Sequence, residues 1–147
     1  MRQLSVFGAG DATREQLALA EEVGRLVAES GVAVVTGGLG GVMEAASRGA
    51  AGAGGTVIAV LPGSDPGEAT RHATAVVATG IGEARNLAVA ASGEVAIAIG
   101  HGYGTLSEIA LARKLGRRVV VLDGPEVMGT ERASSALEAV ELALRRP

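Results

Sequence analysis

The stretch EVAIAIGHGYGTLSEIALARKLG, residues 94–116, decides how this chain folds. It opens on an unbroken apolar run, Val95 to Ile99, the pattern of a strand covered on both faces. Gly100, Gly102 and Gly104 then interrupt the chain at alternate positions. From Thr105 the spacing turns helical, and Gly116 supplies the stop at residue 115. Two readings of the glycine turn stay open. It is either a tight turn with a helix cap, or a cradle that presents bare amides to an anion.

The same unit repeats outward in both directions. Apolar runs predict strands over 4–7, 32–35, 56–61, 75–78, 94–99 and 118–122. Helical spacing predicts helices over 12–30, 42–53, 82–92, 105–115 and 130–145. The one long irregular stretch, 62–73, carries Arg71 and His72 and reads as a candidate lid. Strands that are apolar throughout, alternating with helices, indicate an α/β fold. The expectation is a doubly wound, mainly parallel sheet with helices on both faces, a Rossmann-like single domain over residues 1–147. The helices are rich in Ala and Gly, so one face can approach a second copy closely, and a homodimer is expected.

Composition narrows the function classes. The chain has 147 residues, 48% hydrophobic and 20% charged, with formal net charge −3, which fits a folded soluble domain. Arg117-Arg118 and Arg145-Arg146 are isolated pairs, so no nucleic-acid partner is expected. No apolar run approaches the roughly 20 residues of a membrane span, so no membrane partner is expected either. The opening LSVFGAG does not read as a signal peptide, and the cytoplasm is the expected compartment. With no Cys and two His, no metal site is expected. Phe7 and Tyr103 are the only aromatic residues.

Ligands of doubly wound sheets sit beyond the carboxyl ends of the strands, where the strand order reverses. Three glycine-bearing loops leave strand ends here and run into helices: Gly8 to Gly10, Gly37 to Gly41, and Gly100 to Gly104. A helix N-terminus offers unpaired N–H groups and about half a positive charge. Three such loops point to a small phosphate-bearing ligand. The dinucleotide fingerprint fails, because Thr13 stands where GAGDAT needs its third glycine. No P-loop lysine motif is present.

Two motifs together carry a family resemblance. VVTGGLGGVMEAASRGAAGAGGTVIAVLP (34–62) and GHGYGTLSE (100–108) resemble the paired signatures of the Lonely Guy superfamily, also labelled "possible lysine decarboxylase". The GGVMEAASRGA segment resembles its branch of molybdenum cofactor carrier proteins. The resemblance implies a Rossmann-like fold and a bound nucleotide or molybdopterin-type ligand, with no cofactor required for function. For the hydrolytic members it implies a phosphoribohydrolase, cleaving the N-glycosidic bond of a nucleoside 5′-monophosphate, and not a lysine decarboxylase. On that branch Arg85 and Glu108, 23 positions apart (108 − 85), match the catalytic Arg and Glu. Gly100-His101 replaces Pro-Gly and Asn86 replaces Lys, departures that favour ligand carriage over hydrolysis.

The candidate ligand-binding residues are Gly8, Gly10, Thr36, Gly37, Gly38, Gly40, Gly41, Gly100, His101, Gly102, Tyr103, Gly104 and Thr105. Each has a plainer reading. The glycines also serve as turn residues. Thr105-x-x-Glu108 also reads as a capping box, with Glu108 folding back on the Thr105 amide. Arg85 also reads as a surface arginine, and otherwise as a clamp on phosphate. Glu44 and Arg48 are spaced to pair on one helix. His101 reads as a phosphate donor or as an exposed loop residue, and Tyr103 as a stacking surface for a base or pterin, or as a cover for the loop.

Overall fold

The computed structural model describes residues 2–145. Its strands are β1 (Gln3–Gly8), β2 (Ala33–Thr36), β3 (Val57–Leu61), β4 (Ala75–Ala78), β5 (Val95–Ile99), β6 (Arg118–Leu122) and β7 (Glu131–Ala133). Its helices are α1 (Arg14–Glu29), α2 (Val42–Gly52), α3 (Arg85–Ser92), α4 (Tyr103–Lys114) and α5 (Ala136–Leu144). Short 3-10 turns occupy Pro66–Glu68 and Gly82–Ala84. The sheet order is β4-β3-β2-β1-β5-β6-β7, and every neighbouring pair is parallel.

Burial on both faces explains the apolar strands. β5 sits beside β1 with Val95, Ile97 and Ile99 in one core and Ala96 and Ala98 in the other. The larger side chains meet α1, α2 and α5; the alanines meet Val89 of α3 and Ile109 of α4, on the opposite face. Small residues on that side let α3 and α4 lie close to the strands. On the first face α1 and α2 touch backbone to backbone. A Cβ on Gly24 would stand 2.0 Å from the carbonyl oxygen of Ala46, and one on Gly49 would stand 1.9 Å from that of Glu21.

Three local expectations need correction. The last helix starts at Ala136, not at residue 130, because the Ser135 hydroxyl caps it by accepting from the Glu138 amide. The residues before it form β7, a three-residue edge strand too short and polar to show as an apolar run. Glu44 and Arg48 do not pair with each other. Arg48 reaches Glu21 on α1 at 3.2 Å, and Glu44 lies 3.5 Å from His72 Nε2. The stretch 62–73 is tied down at and just beyond its far end. The Thr70 amide donates to Gly38 O at 2.9 Å and the Thr74 amide to Val57 O at 2.8 Å.

Candidate functional site

The strand order reverses between β1 and β5. Chain from β1 turns outward to β2, while β5 continues to β6 on the other side, so their carboxyl ends leave a gap that no helix fills. A cleft of about 190 Å³ lies there, lined by Gly8, Ala9, Gly10, Met43, Arg85, Asn86, His101, Gly102, Gly104, Thr105 and Glu108. Larger hollows lie elsewhere, two of them lined by several charged side chains. One, of about 640 Å³, is at the amino ends of the strands among Arg2, Glu94, Arg118 and Arg145; the other, of about 480 Å³, is between α1 and α2. Most of their charged side chains are paired: Arg2 with Glu94, Arg118 with Glu131, Arg25 with Glu22 and Glu29, and Arg48 with Glu21. The cleft at the switch point is smaller but keeps its charged groups unpaired.

Arg85 is the clearest case. It opens α3 and is only 9% exposed, so the surface-arginine reading fails. Its Nε donates to Val60 O at 3.0 Å, its Nη2 to Gly37 O at 3.3 Å, and its Nη1 to the side-chain oxygen of Asn86. Carbonyls and one amide oxygen thus aim the guanidinium, yet none neutralises it. Burial lowers its affinity for the proton below the ordinary arginine value, and Glu108 and Glu83 oppose that shift.

Glu108 faces the same cleft from α4. Burial pushes its carboxyl up to about 7, and the charge of Arg85 only partly offsets this. Among the described residues the two form no ion pair within 4.0 Å. An under-solvated acid and an under-solvated base thus share one hollow without meeting, a pattern typical of functional sites.

The capping box does not form. α4 begins at Tyr103 with Gly102 as its N-cap, and no side chain caps it. Thr105 is therefore the third helical residue, 2% exposed, and its hydroxyl has no hydrogen-bond partner. Among the described residues nothing accepts from the amides of Tyr103, Gly104 or Thr105 either; the first bond of the helix is Leu106 N to Gly102 O. One buried hydroxyl and the orphan amides of Gly104 and Thr105 thus belong to residues that line the cleft. An orphan hydroxyl in a buried position costs free energy unless a partner arrives.

Of the residues named from sequence, the fold brings Gly8, Gly10, Arg85, His101, Gly102, Gly104, Thr105 and Glu108 into the cleft. It sets Thr36, Gly37, Gly38, Gly40, Gly41, Gly100 and Tyr103 outside the lining. Several of these build the wall instead. Thr36 Oγ1 accepts from the Gly38 amide at 3.0 Å, and Gly37 O holds Arg85. Gly41 lies against the loop Gly8 to Gly10 (loop one), where a Cβ would stand 2.3 Å from Ala9 O. Ala9 and Met43 line the cleft but were not singled out. Met43 directly follows Val42, whose amide donates to Ala9 O, so the first turn of α2 faces loop one. Only that contact, and no local spacing, reveals it. No group of three or more metal-ligating side chains occurs among the described residues.

Known proteins carry the same architecture. A family described as the SLOG cluster4 family matches residues 1–144. An uncharacterized protein of Archaeoglobus fulgidus is 44% identical over 128 residues, covering 87% of this chain and 84% of that one. The molybdenum cofactor binding protein of Rippkaea orientalis superposes with a TM-score of 0.91 at 35% identity, covering 96% of this chain and 94% of that one. The molybdenum cofactor carrier protein of Chlamydomonas reinhardtii superposes with a TM-score of 0.89 at 34% identity, covering 97% and 96%.

Proposed function

The chain belongs to the SLOG cluster4 family, and from that premise we propose that it binds a small phosphorylated nucleotide or pterin-type ligand, as a cofactor carrier does. The observation that carries the reading is the buried, unpartnered Thr105 hydroxyl beside the free Gly104 and Thr105 amides, in one cleft with Arg85. On this reading the ligand's phosphate accepts from the Gly104 and Thr105 amides and from the Thr105 hydroxyl. Arg85 supplies the balancing positive charge without having to be desolvated on binding. Glu108, neutral below about pH 7, shares the cleft without repelling an anion and offers a proton to a ligand hydroxyl. The solved proteins named above are described as binding or carrying molybdenum cofactor, a phosphorylated pterin, which supports the pterin-type class.

One observation favours a second reading. Arg85 and Glu108 line one cleft, as the pair in nucleoside 5′-monophosphate phosphoribohydrolases is expected to do. There Glu108 would orient water at the anomeric carbon while the base leaves, the part carboxylates play in glycoside cleavage. Incubation with AMP and related monophosphates separates the two. Saturable stabilisation of about 2.7 kcal/mol at a hundredfold excess over Kd, without release of base, is the carrier outcome. Free base and ribose 5-phosphate, formed by the wild type and not by Glu108→Gln, is the hydrolase outcome. Absence of both with any monophosphate or pterin phosphate overturns the proposal. The reading includes a homodimer, supported by exposed Val76 and Val77 on edge strand β4 and by Ile81 after it; sedimentation measures this directly.

A further inference from the structure

We propose that the apolar shelf of Tyr103, Leu106 and Pro125 seats a planar heteroaromatic ring of the same ligand whose phosphate the cleft holds, an inference that rests on the reading above. The shelf is a hollow of about 220 Å³ lined by Gly102, Tyr103, Leu106 and Pro125, with no charged side chain. It adjoins the cleft, because Gly102 lines both. Gly102 has φ +116, a conformation that side chains rarely adopt, and a Cβ there would meet nothing within 4 Å. The residue shared by the two hollows thus has open space where a side chain would stand.

Size requires a second seat. Pockets that enclose a nucleotide-sized ligand have volumes of about 300–1,000 Å³. The cleft, at about 190 Å³, accommodates a phosphate and part of a sugar or short linker. The rest of the ligand must lie beyond it, and the shelf is the adjoining hollow.

Chemistry identifies what lies there. Of the two aromatic residues, Phe7 is fully buried in the core and Tyr103 is 91% exposed. Tyr103 is the first residue of α4, directly preceding Gly104 and Thr105, which line the cleft. An aromatic face held on a helix beside an anion site suits stacking of a flat π-system. Leu106, 38% exposed, and Pro125 extend the apolar surface without adding polar groups to satisfy. A second copy of the chain is a poor occupant. A stable interface buries about 800 Å² per partner, and four lining residues fall far short of that.

The protein reports on this seat by itself, because it contains one Tyr and no Trp, so its near-ultraviolet emission is that of Tyr103. The test titrates wild type, Tyr103→Ala and Tyr103→Phe by calorimetry and tyrosine emission. The probes are ribose 5-phosphate, AMP and 6-hydroxymethylpterin monophosphate. The expected result is that at least one ring-bearing probe quenches Tyr103 saturably and ribose 5-phosphate binds without quenching. Tyr103→Ala then weakens that ring-bearing probe about ten-fold and leaves ribose 5-phosphate unchanged, while Tyr103→Phe restores affinity. The probe that responds, purine or pterin, identifies the ring. If ribose 5-phosphate binds but neither ring-bearing probe quenches Tyr103 or distinguishes Tyr103→Ala, the shelf assignment is wrong and the cleft reading stands. If no probe binds the wild type, the cleft reading fails and the shelf falls with it. A change in sedimentation on Tyr103→Ala, with ligand affinities unaltered, assigns the shelf to self-association and overturns the proposal.

Discussion

Thr105 exposes the logic of the site at the scale of one side chain. Its buried hydroxyl is unsatisfied in the free protein, so Thr105→Val removes a cost and keeps the shape. The variant is expected to be as stable as the wild type or up to about 1 kcal/mol more stable, and to bind ribose 5-phosphate about ten-fold more weakly. Paired thermal melts and calorimetry check both signs; a variant that loses stability and keeps affinity would make Thr105 structural. Glu108 gives a pH signature. Its folded-state value, about 7, lies above the ordinary 4.5, so the native state holds more protons than the unfolded one between those values. Stability is therefore greatest below about pH 4.5 with respect to this group and declines as pH rises through about 7. Glu108→Gln should flatten that decline and raise the melting temperature at pH 8 relative to wild type, a difference of the order of 1–3 kcal/mol. Equal melting curves for the two proteins at pH 5 and pH 8 would show that Glu108 is not held at a cost. The family resemblance suggested Arg85 and Glu108, but not their surroundings. That Arg85 is buried follows from its bonds to Val60 O and Gly37 O, 25 and 48 positions away in sequence, which no local pattern records.

At the scale of elements, glycine decides two contacts. Gly24 and Gly49 let α1 and α2 lie with backbones in contact, which pins the first turn of α2, and with it Met43, against loop one. Gly24→Ala places a methyl 2.0 Å from Ala46 O, against backbone that cannot swing aside. A loss of about 2–3 kcal/mol is expected in urea unfolding, with ligand affinity falling in parallel as α2 shifts. An unchanged midpoint would mean that the helices separate freely. The strands and helices around the switch point were legible because apolar runs and helical spacing are strong over five or more residues. β7 was not: Glu131-Arg132-Ala133 carries two charges, pairs along one edge only, and is held by its parallel register with β6. The α4 start was misread by two residues for a related reason. Thr-x-x-Glu fits a capping box locally, but Gly102 at φ +116 begins the helix earlier and carries Thr105 inside. That displacement turns a capping residue into a cleft residue.

Over the whole molecule, function follows from where the strand order turns. Parallel strands send β1 and β5 to the same edge, so Gly8 and Gly100 stand side by side, with Gly8 paired to Ile99. The order β4-β3-β2-β1-β5-β6-β7 then leaves a gap between them at that edge. Sequence located this edge through its glycine loops. It did not separate lining from wall, because Gly37–Gly41 and Gly100–Gly104 look alike until the first is seen to hold Arg85 and to pack on Ala9. The account stands on the claim that the orphan groups at the α4 N-terminus hold the phosphate of a ligand. The most direct measurement is a crystal structure of the protein with ribose 5-phosphate. The account predicts the phosphate within hydrogen-bond reach of the Gly104 and Thr105 amides and the Thr105 hydroxyl, with Arg85 facing it. A phosphate seated instead among Arg2, Arg118 and Arg145 at the opposite edge, with the cleft empty, would contradict it.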